Sequence, residues 1–337
     1  MKPRLSKTQL ILAFLLAPAF VLLPQSAVGQ VGKSSGQAPA LQNASLDASS
    51  IQENLQKIAS LLTPTMDVVD PVPDVDHREN ISIPRRVPLL TSSTSHNWLL
   101  LIGIDKYEHV SQLQNCVGDL KTVRDILQQH YRFDREHTIE LYDRQATRDN
   151  IIRKLEELVS SVGRKDNVII YYEGHGTYNP TLHRAYWLPV DAGTESAARY
   201  FASSELQAFV EAINSRSTLV ISDACYSGNM FPGSDAPVPF KPSLTEIQRS
   251  VSLTARQVVT SGGNEPVAGN WLFLDEHSLF AHYLINQLEN NTDKYLPVST
   301  LFAQVGPRVS SKGFQTPQFR TIQNAGDEGG EFVFARN

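Results

Sequence analysis

The chain has little cysteine: two residues in 337, Cys116 and Cys225. Two cannot build a multi-bridge disulfide scaffold, so a hydrophobic core has to hold the fold. There is no basic excess. Thirty Lys and Arg stand against 35 Asp and Glu, a formal net charge of −5, which argues against nucleic acid as the main partner because such partners demand a basic face. No apolar run is long enough to span a bilayer, since Leu10 to Leu23 falls short of the roughly 20 residues a crossing needs and is broken by Pro18. No internal repeat is evident. What is present is 41% hydrophobic residues, ample for one sizeable core.

Residues 1–29 have a basic start (Lys2, Arg4, Lys7), an apolar stretch and small residues at Ala27 and Gly29. That pattern reads as a secretory signal peptide cleaved near Gly29, giving an exported protein, periplasmic or extracellular, with no stable membrane insertion after cleavage. Removing three basic residues and no acids takes the formal charge from −5 to −8. Residues 30–95 read as a tether or pro-segment. Their first part is rich in Ser, Gly, Gln and Ala, and Pro64, Pro71, Pro73, Pro84 and Pro88 punctuate the rest, a composition that buries no core. Between them Ile51, Leu55, Ile58, Leu61 and Leu62 repeat at helical spacing. That short amphipathic helix lacks a basic face and reads as a docking segment.

From Trp98 onward, strand and helix patterns alternate. The opening strand is Leu99–Ile104, helices are predicted over Asp119–Tyr131 and Asn150–Val162, and strands over Thr138–Tyr142 and Asn167–Tyr172. After a strand-like Tyr186–Pro189 come a helix near Ser204–Ile213 and the apolar strand leading to Cys225. Strand Gln257–Thr260, helices near His277–Glu289 and Pro297–Val309, and a strand near Gln318–Ile322 complete the series. Such alternation implies an α/β fold with a mostly parallel sheet between helix layers.

Two of these strands end in chemically distinctive loops: Val168–Tyr172 runs into Glu173-Gly174-His175-Gly176, and Thr218–Ser222 into Asp223-Ala224-Cys225-Tyr226-Ser227-Gly228. In open parallel sheets the chemistry sits just past the carboxyl ends of the strands. A lone Cys is more often a small buried hydrophobe than a nucleophile. Here glycines flank His175, an acid lies two residues before Cys225, and fifty residues separate His from Cys, a known spacing for a Cys-His peptidase dyad.

With these motifs, together with Asn115-Cys116-Val117-Gly118-Asp119 and Thr260-Ser261-Gly262-Gly263, the chain resembles the caspase-like cysteine peptidases, in particular their metacaspase, paracaspase and bacterial orthocaspase branch. The resemblance covers residues 96–337 and implies a caspase-like three-layer sandwich, a mostly parallel central sheet flanked by helices. Residues 96–230 would form the large-subunit-like part, 231–253 a cleavable linker loop, and 254–337 the small-subunit-like part. It also implies an endopeptidase in which Cys225 is the nucleophile and His175 the proton carrier, with the backbone amides of Gly176 and Cys225 as oxyanion donors. The residues name no third member. Glu173 is expected to point to the other face of an extended strand and reads as structural.

Animal caspases bind an acidic P1 residue with an Arg and with a Gln two before the nucleophile. Here Asp223 takes the place of that Gln, and a carboxylate there would repel an acidic P1. By resemblance to metacaspases, Asp223 and Asp119 form the base of the S1 pocket, with Glu265 at its rim, although Asp119 taken alone reads equally as a helix N-cap. Two carboxylates match the donor fork of a guanidinium, so the expected substrates are peptides or proteins with a basic P1, Arg over Lys. Arg85, Arg86, Lys241 and Arg249 become candidate self-cleavage sites. Cys116 matches a second cysteine found beside the site in some metacaspases, and both thiols are expected free in the active form, with oxidative coupling as an off switch. The dyad needs no cofactor. Calcium is implied by family analogy alone, and the loose pairs Asp191 with Glu195 and Asp275 with Glu276 support no metal site. Two other classes stay open: a catalytically silent binding protein on the same fold, and a Cys-His amidase or transpeptidase.

Overall fold

The computed structural model describes residues 95–230, 242–263, 273–274, 276–312 and 315–337. The expected signal peptide and nearly all of the tether lie outside these residues, as do Arg85, Arg86, Lys241, Glu265 and Asp275.

The core is a six-stranded sheet. Its strands are β1 (Asn97–Gly103), β2 (Thr138–Tyr142), β3 (Asn167–Glu173), β7 (Ser217–Asp223), β8 (Ala255–Thr260) and β12 (Gln318–Thr321), in the order β12-β8-β7-β3-β1-β2. Five run parallel, and β12 adds antiparallel to β8. Helices α1 (Cys116–His130), α5 (Leu279–Asn290) and α6 (Val298–Lys312) cover one face, where Leu99, Leu101, Ile169, Tyr171, Leu219 and Ile221 point. Helices α2 (Arg148–Ser161) and α3 (Ser203–Ala212) cover the other, against Leu100, Ile102, Val168, Ile170, Tyr172 and Val220. Burial on both faces is why the central strands read as continuous apolar runs instead of alternating ones.

The chain steps from β1 outward to β2, then back across β1 to β3. This reversal places a crevice beyond the carboxyl ends of β1 and β3, the position where doubly wound sheets bind ligands.

Smaller strands, for the most part unforeseen, decorate this layer. β4 (Gly176–Asn179), β5 (Arg184–Trp187) and β6 (Phe201–Ala202) form an antiparallel sheet directly after His175. β9 (Phe273–Leu274) pairs with β10 (His277–Ser278), and β11 (Tyr295–Pro297) with the last strand, β13 (Val333–Ala335). These are two to four residues long, too short for a periodicity signal.

The linker expected over 231–253 needs correction, because α4 (Leu244–Ser250) occupies part of it. A capping box starts this helix: Glu246 N–H donates to Ser243 Oγ at 3.3 Å, and Ser243 N–H donates to Glu246 Oε2 at 2.6 Å. Ile247 buries its apolar side. Arg249 is therefore an exposed residue in the last turn of a capped helix. A second correction concerns α1, which begins at Cys116, three residues before the predicted start, with Asn115 as its N-cap in a left-handed conformation.

Candidate active site

Register positions the two motif loops. Glu173 at the end of β3 pairs with Asp223 at the end of β7, so His175 and Cys225 each stand two residues past the last paired position of neighbouring parallel strands. Gly174 N–H donates to the Asp223 carbonyl at 3.3 Å. A Cβ on Gly176 would lie 2.3 Å from the Cys225 carbonyl oxygen, and one on Gly174 would lie 2.5 Å from the Tyr107 hydroxyl. Glycine on both sides of His175 is therefore a demand for space, from the Cys225 backbone at Gly176 and from the tyrosine side chains at Gly174.

Two buried tyrosines clamp the histidine. Its N–H donates to the Tyr107 hydroxyl at 2.7 Å, and its carbonyl accepts from Tyr172 Oη at 2.7 Å. Tyr172 stacks on Trp187 with centroids 4.4 Å apart, and Trp187 Nε1 donates to Ser222 Oγ on β7. The imidazole Nε2 lies 2.8 Å from the Ser111 carbonyl oxygen. A carbonyl can only accept, so Nε2 carries the proton and Nδ1 is left with the lone pair. Burial, opposed by that Ser111 contact, holds the His175 pKa below its ordinary value. The third, orienting partner is thus a backbone carbonyl, which sequence reasoning could not name because a carbonyl leaves no side-chain signature.

Cys225 carries a half-buried thiol on a loop fastened to the end of β8. Gly228 N–H donates to the Gly263 carbonyl at 3.0 Å and Ser227 Oγ to that of Gly262 at 3.2 Å. Tyr226 takes a positive φ of 56°, which turns the chain immediately after Cys225.

Behind this loop the sheet gathers acids. Tyr171 and Ile221 face α1 and α5, and strand alternation sends Glu173 and Asp223 to that same face. Asp119 on α1 meets them: Asp119, Glu173 and Asp223 are 0%, 3% and 7% exposed. Asp119 is not the N-cap of its helix. Its Oδ1 lies 2.5 Å from His277 Nδ1 and its Oδ2 accepts from Ser278 N–H at 2.9 Å. The capping falls to Asp105, whose Oδ1 and Oδ2 accept from the Cys116 and Val117 amides at 2.8 and 3.3 Å. Ser278 Oγ donates to Asp223 Oδ2 at 2.8 Å and accepts from Ala281 N–H, so it caps α5 while bridging two of the acids.

Burial raises all three carboxyl pKa values. Asp223 is pushed up to about 6, Asp119 goes up despite its bonds to His277 and Ser278, and Glu173 is raised well above the ordinary carboxyl value, with burial reinforced by the charges of Asp119 and Asp223. Cys116 lies beside them, and burial with the nearby Glu173, Asp105 and Asp223 charges pushes its thiol up. Asp105, Ser111, His277 and Ser278 carried no readable motif. Only their distance along the chain hid them.

Of the loosely paired acids, Asp191, Glu195 and Glu276 lie among the described residues. Asp191 accepts from the Arg148 N–H and from Arg199 Nη1, and Glu195 is exposed. Glu276 takes a positive φ of 70° at the β9–β10 turn. His96, Asp134 and His137 converge to within 4.8 Å, at the opposite, amino-terminal end of the sheet, and imidazole ligands suit transition ions better than calcium.

The model of one family, the caspase domain, matches residues 96–325. This chain belongs to the caspase-domain family. It is similar to metacaspase-1 of Pyricularia oryzae, 34% identical over 83 residues that make up 23% of this chain and 21% of that one. It is likewise similar to metacaspase-1A of Aspergillus niger, 34% identical over 89 residues, 25% and 22% of the two chains. The aligned part thus spans about a fifth of the length of these relatives. Among solved structures, protein GSU0716 of Geobacter sulfurreducens matches with a TM-score of 0.48 and 16% identity, over 67% of this chain and 93% of that one.

Proposed function

We propose that this caspase domain is a cysteine endopeptidase that cuts peptide bonds after arginine, and less readily after lysine. The observation that carries the reading is the Glu173–Asp223 register, which delivers His175 and Cys225 side by side with buried acids just behind them.

In the proposed reaction the Cys225 thiol gives its proton to His175 Nδ1 and its sulfur adds to the scissile carbonyl. The amides of Gly176 and Cys225 stabilise the developing oxyanion. The imidazolium then protonates the leaving amine, and water, deprotonated by the same Nδ1, hydrolyses the thioester and restores the thiol. The Ser111 carbonyl keeps Nε2–H fixed throughout. Asp119 and Asp223 receive the P1 guanidinium, whose planar donor fork suits two carboxylates better than an ammonium does.

Further parts of the reading rest on sequence. The protein is exported after cleavage near Gly29, no cofactor takes part in bond breaking, and calcium is implied by family analogy alone. Arg249, with Arg85, Arg86 and Lys241, is a site of self-cleavage.

Hydrolysis of matched fluorogenic peptides ending in Arg, Lys or Asp tests the proposal, with the chain from Gln30 and its Cys225→Ala variant, in calcium and in chelator. Cleavage after Arg that vanishes in the variant supports it. Cleavage after Asp would overturn the pocket, and no cleavage by intact or processed protein would favour a binding role.

A further inference from the structure

Glu173 is the acid that the peptidase chemistry leaves unused, and one of its two carboxyl oxygens has no partner. Asp119 is bonded by His277 and Ser278, and Asp223 by Ser278. The Oε2 of Glu173 is fully buried and unpaired. An orphaned, buried carboxyl oxygen is destabilising unless the group is protonated or a cation arrives. The groups facing Glu173 are Asp119 and Cys116 from α1, Asp105 from the loop after β1, Asp223 from β7 and Tyr171 on its own strand, with His277 beyond Asp119. Its strongest electrostatic neighbours are all acidic: Asp119, Asp223 and Asp105. Three carboxylates so close cannot all ionise without a counter-cation, and Glu173 and Asp119 are placed to share one proton.

We propose that Glu173 is a third acid of the P1 pocket and that an arginine guanidinium enters it in exchange for the proton held between Glu173 and Asp119. The inference rests on the arginine reading given above. The exchange balances simply: the carboxyl O–H breaks, its proton leaves to solvent, and the guanidinium replaces it as the donor to both oxygens. A guanidinium has five N–H donors in one plane and can meet Glu173 as well as the Asp pair, whereas an ammonium with three donors on one atom is less able to span them. Glu173 is therefore a specificity residue that tightens the ground-state complex and favours Arg over Lys. The bond-breaking step does not use it.

The test is calorimetric titration of acetyl-arginine amide and acetyl-lysine amide into full-length Cys225→Ala protein at pH 6.5, in two buffers of different ionisation enthalpy, with and without Glu173→Gln. We expect about one proton released per arginine ligand with Glu173 in place, close to none with Glu173→Gln, and affinity for arginine amide down by about tenfold, the scale of one charge-assisted contact. In the active enzyme, Glu173→Gln should raise KM for Arg peptides with kcat nearly unchanged, and Glu173→Asp should restore part of the loss. Proton release of zero in the Cys225→Ala protein that retains Glu173 overturns the proposal even if the Gln variant fails to fold. Normal Arg cleavage with the same KM and proton count in Glu173→Gln also overturns it, while leaving the arginine reading intact. Failure of arginine amide to bind, together with absence of Arg cleavage, overturns both.

Discussion

The Nε2 atom of His175 lies 2.8 Å from the carbonyl oxygen of Ser111, a residue 64 positions earlier in the chain. This contact fixes the tautomer, and Tyr107, which accepts the His175 N–H at 2.7 Å, fixes the backbone that carries the ring. Tyr107→Phe would leave that amide unsatisfied in a half-buried loop, and we expect it to destabilise the domain by about 1–3 kcal/mol. Because the ring would also lose its placement, kcat should fall by about tenfold or more with KM nearly constant. Denaturant melts and Arg-peptide kinetics check both parts.

Cys225→Ala should abolish peptide cleavage, and His175→Ala should lower kcat by about 10²–10⁴, the range for losing a positioned acid or base. Gly176→Ala should be nearly as damaging to activity despite its small size, since its Cβ would lie 2.3 Å from the Cys225 carbonyl oxygen and push the nucleophile loop away. Steady-state kinetics beside a thermal melt separates lost activity from lost fold.

The pH profile follows from His175. Its pKa is held below the ordinary 6.5 by burial, and the neutral ring is the form that accepts the thiol proton. The step after binding should therefore slow as the pH drops through that lowered value, so the acid limb of kcat lies below pH 6.5. A limb centred above it, measured with Arg peptides in buffers of constant ionic strength, would contradict this assignment.

Asp223 predicts a conflict between stability and function. Its pKa of about 6 in the folded chain, against 3.8 as reference, means the native state binds more protons than the unfolded one between those values. Stability is greatest below pH 3.8 as far as this group is concerned and is lost as pH rises through 6. The full loss is about 3 kcal/mol, two units at about 1.4 kcal/mol each. Asp223→Asn should thus raise stability at pH 8 relative to the parent, with the gain shrinking toward pH 4.5, while cleavage after Arg collapses. Urea unfolding at the two pH values reads the difference.

Capping of α4 governs access to Arg249. Ser243→Gly together with Glu246→Ala removes both halves of the capping box and should weaken the helix by about 1 kcal/mol. If the chain cuts itself at Arg249, the double variant should do so faster, as mass spectrometry of the fragments over time would show. An unchanged cleavage rate would place processing elsewhere.

The local pattern of the sequence determined a good deal. Apolar runs such as Val168–Tyr172 and Leu219–Ile221, short and followed by turn residues, read as strands buried on both faces, and the helical spacing of Ile151, Leu155 and Leu158 reads as a helix lying on them, so the parallel α/β sandwich followed. Gly174-His175-Gly176 and Asp223-Ala224-Cys225 were legible because each chemistry sits in a short contiguous motif. The capping box of α4 was legible too, as Ser243 followed by Glu246, but the Pro- and Ser-rich surroundings masked it. Tertiary structure alone decided the rest. That Asp119 answers to His277 and Ser278 across 158 and 159 residues, that Ser111 orients His175, and that Glu173 lies among acids with an unpaired oxygen all depend on which strand neighbours which. Side-chain alternation places a residue on a face. Only the packing of α1 and the β9–β10 hairpin over that face determines what it meets there, and burial then raises the pKa of otherwise ordinary carboxyl groups.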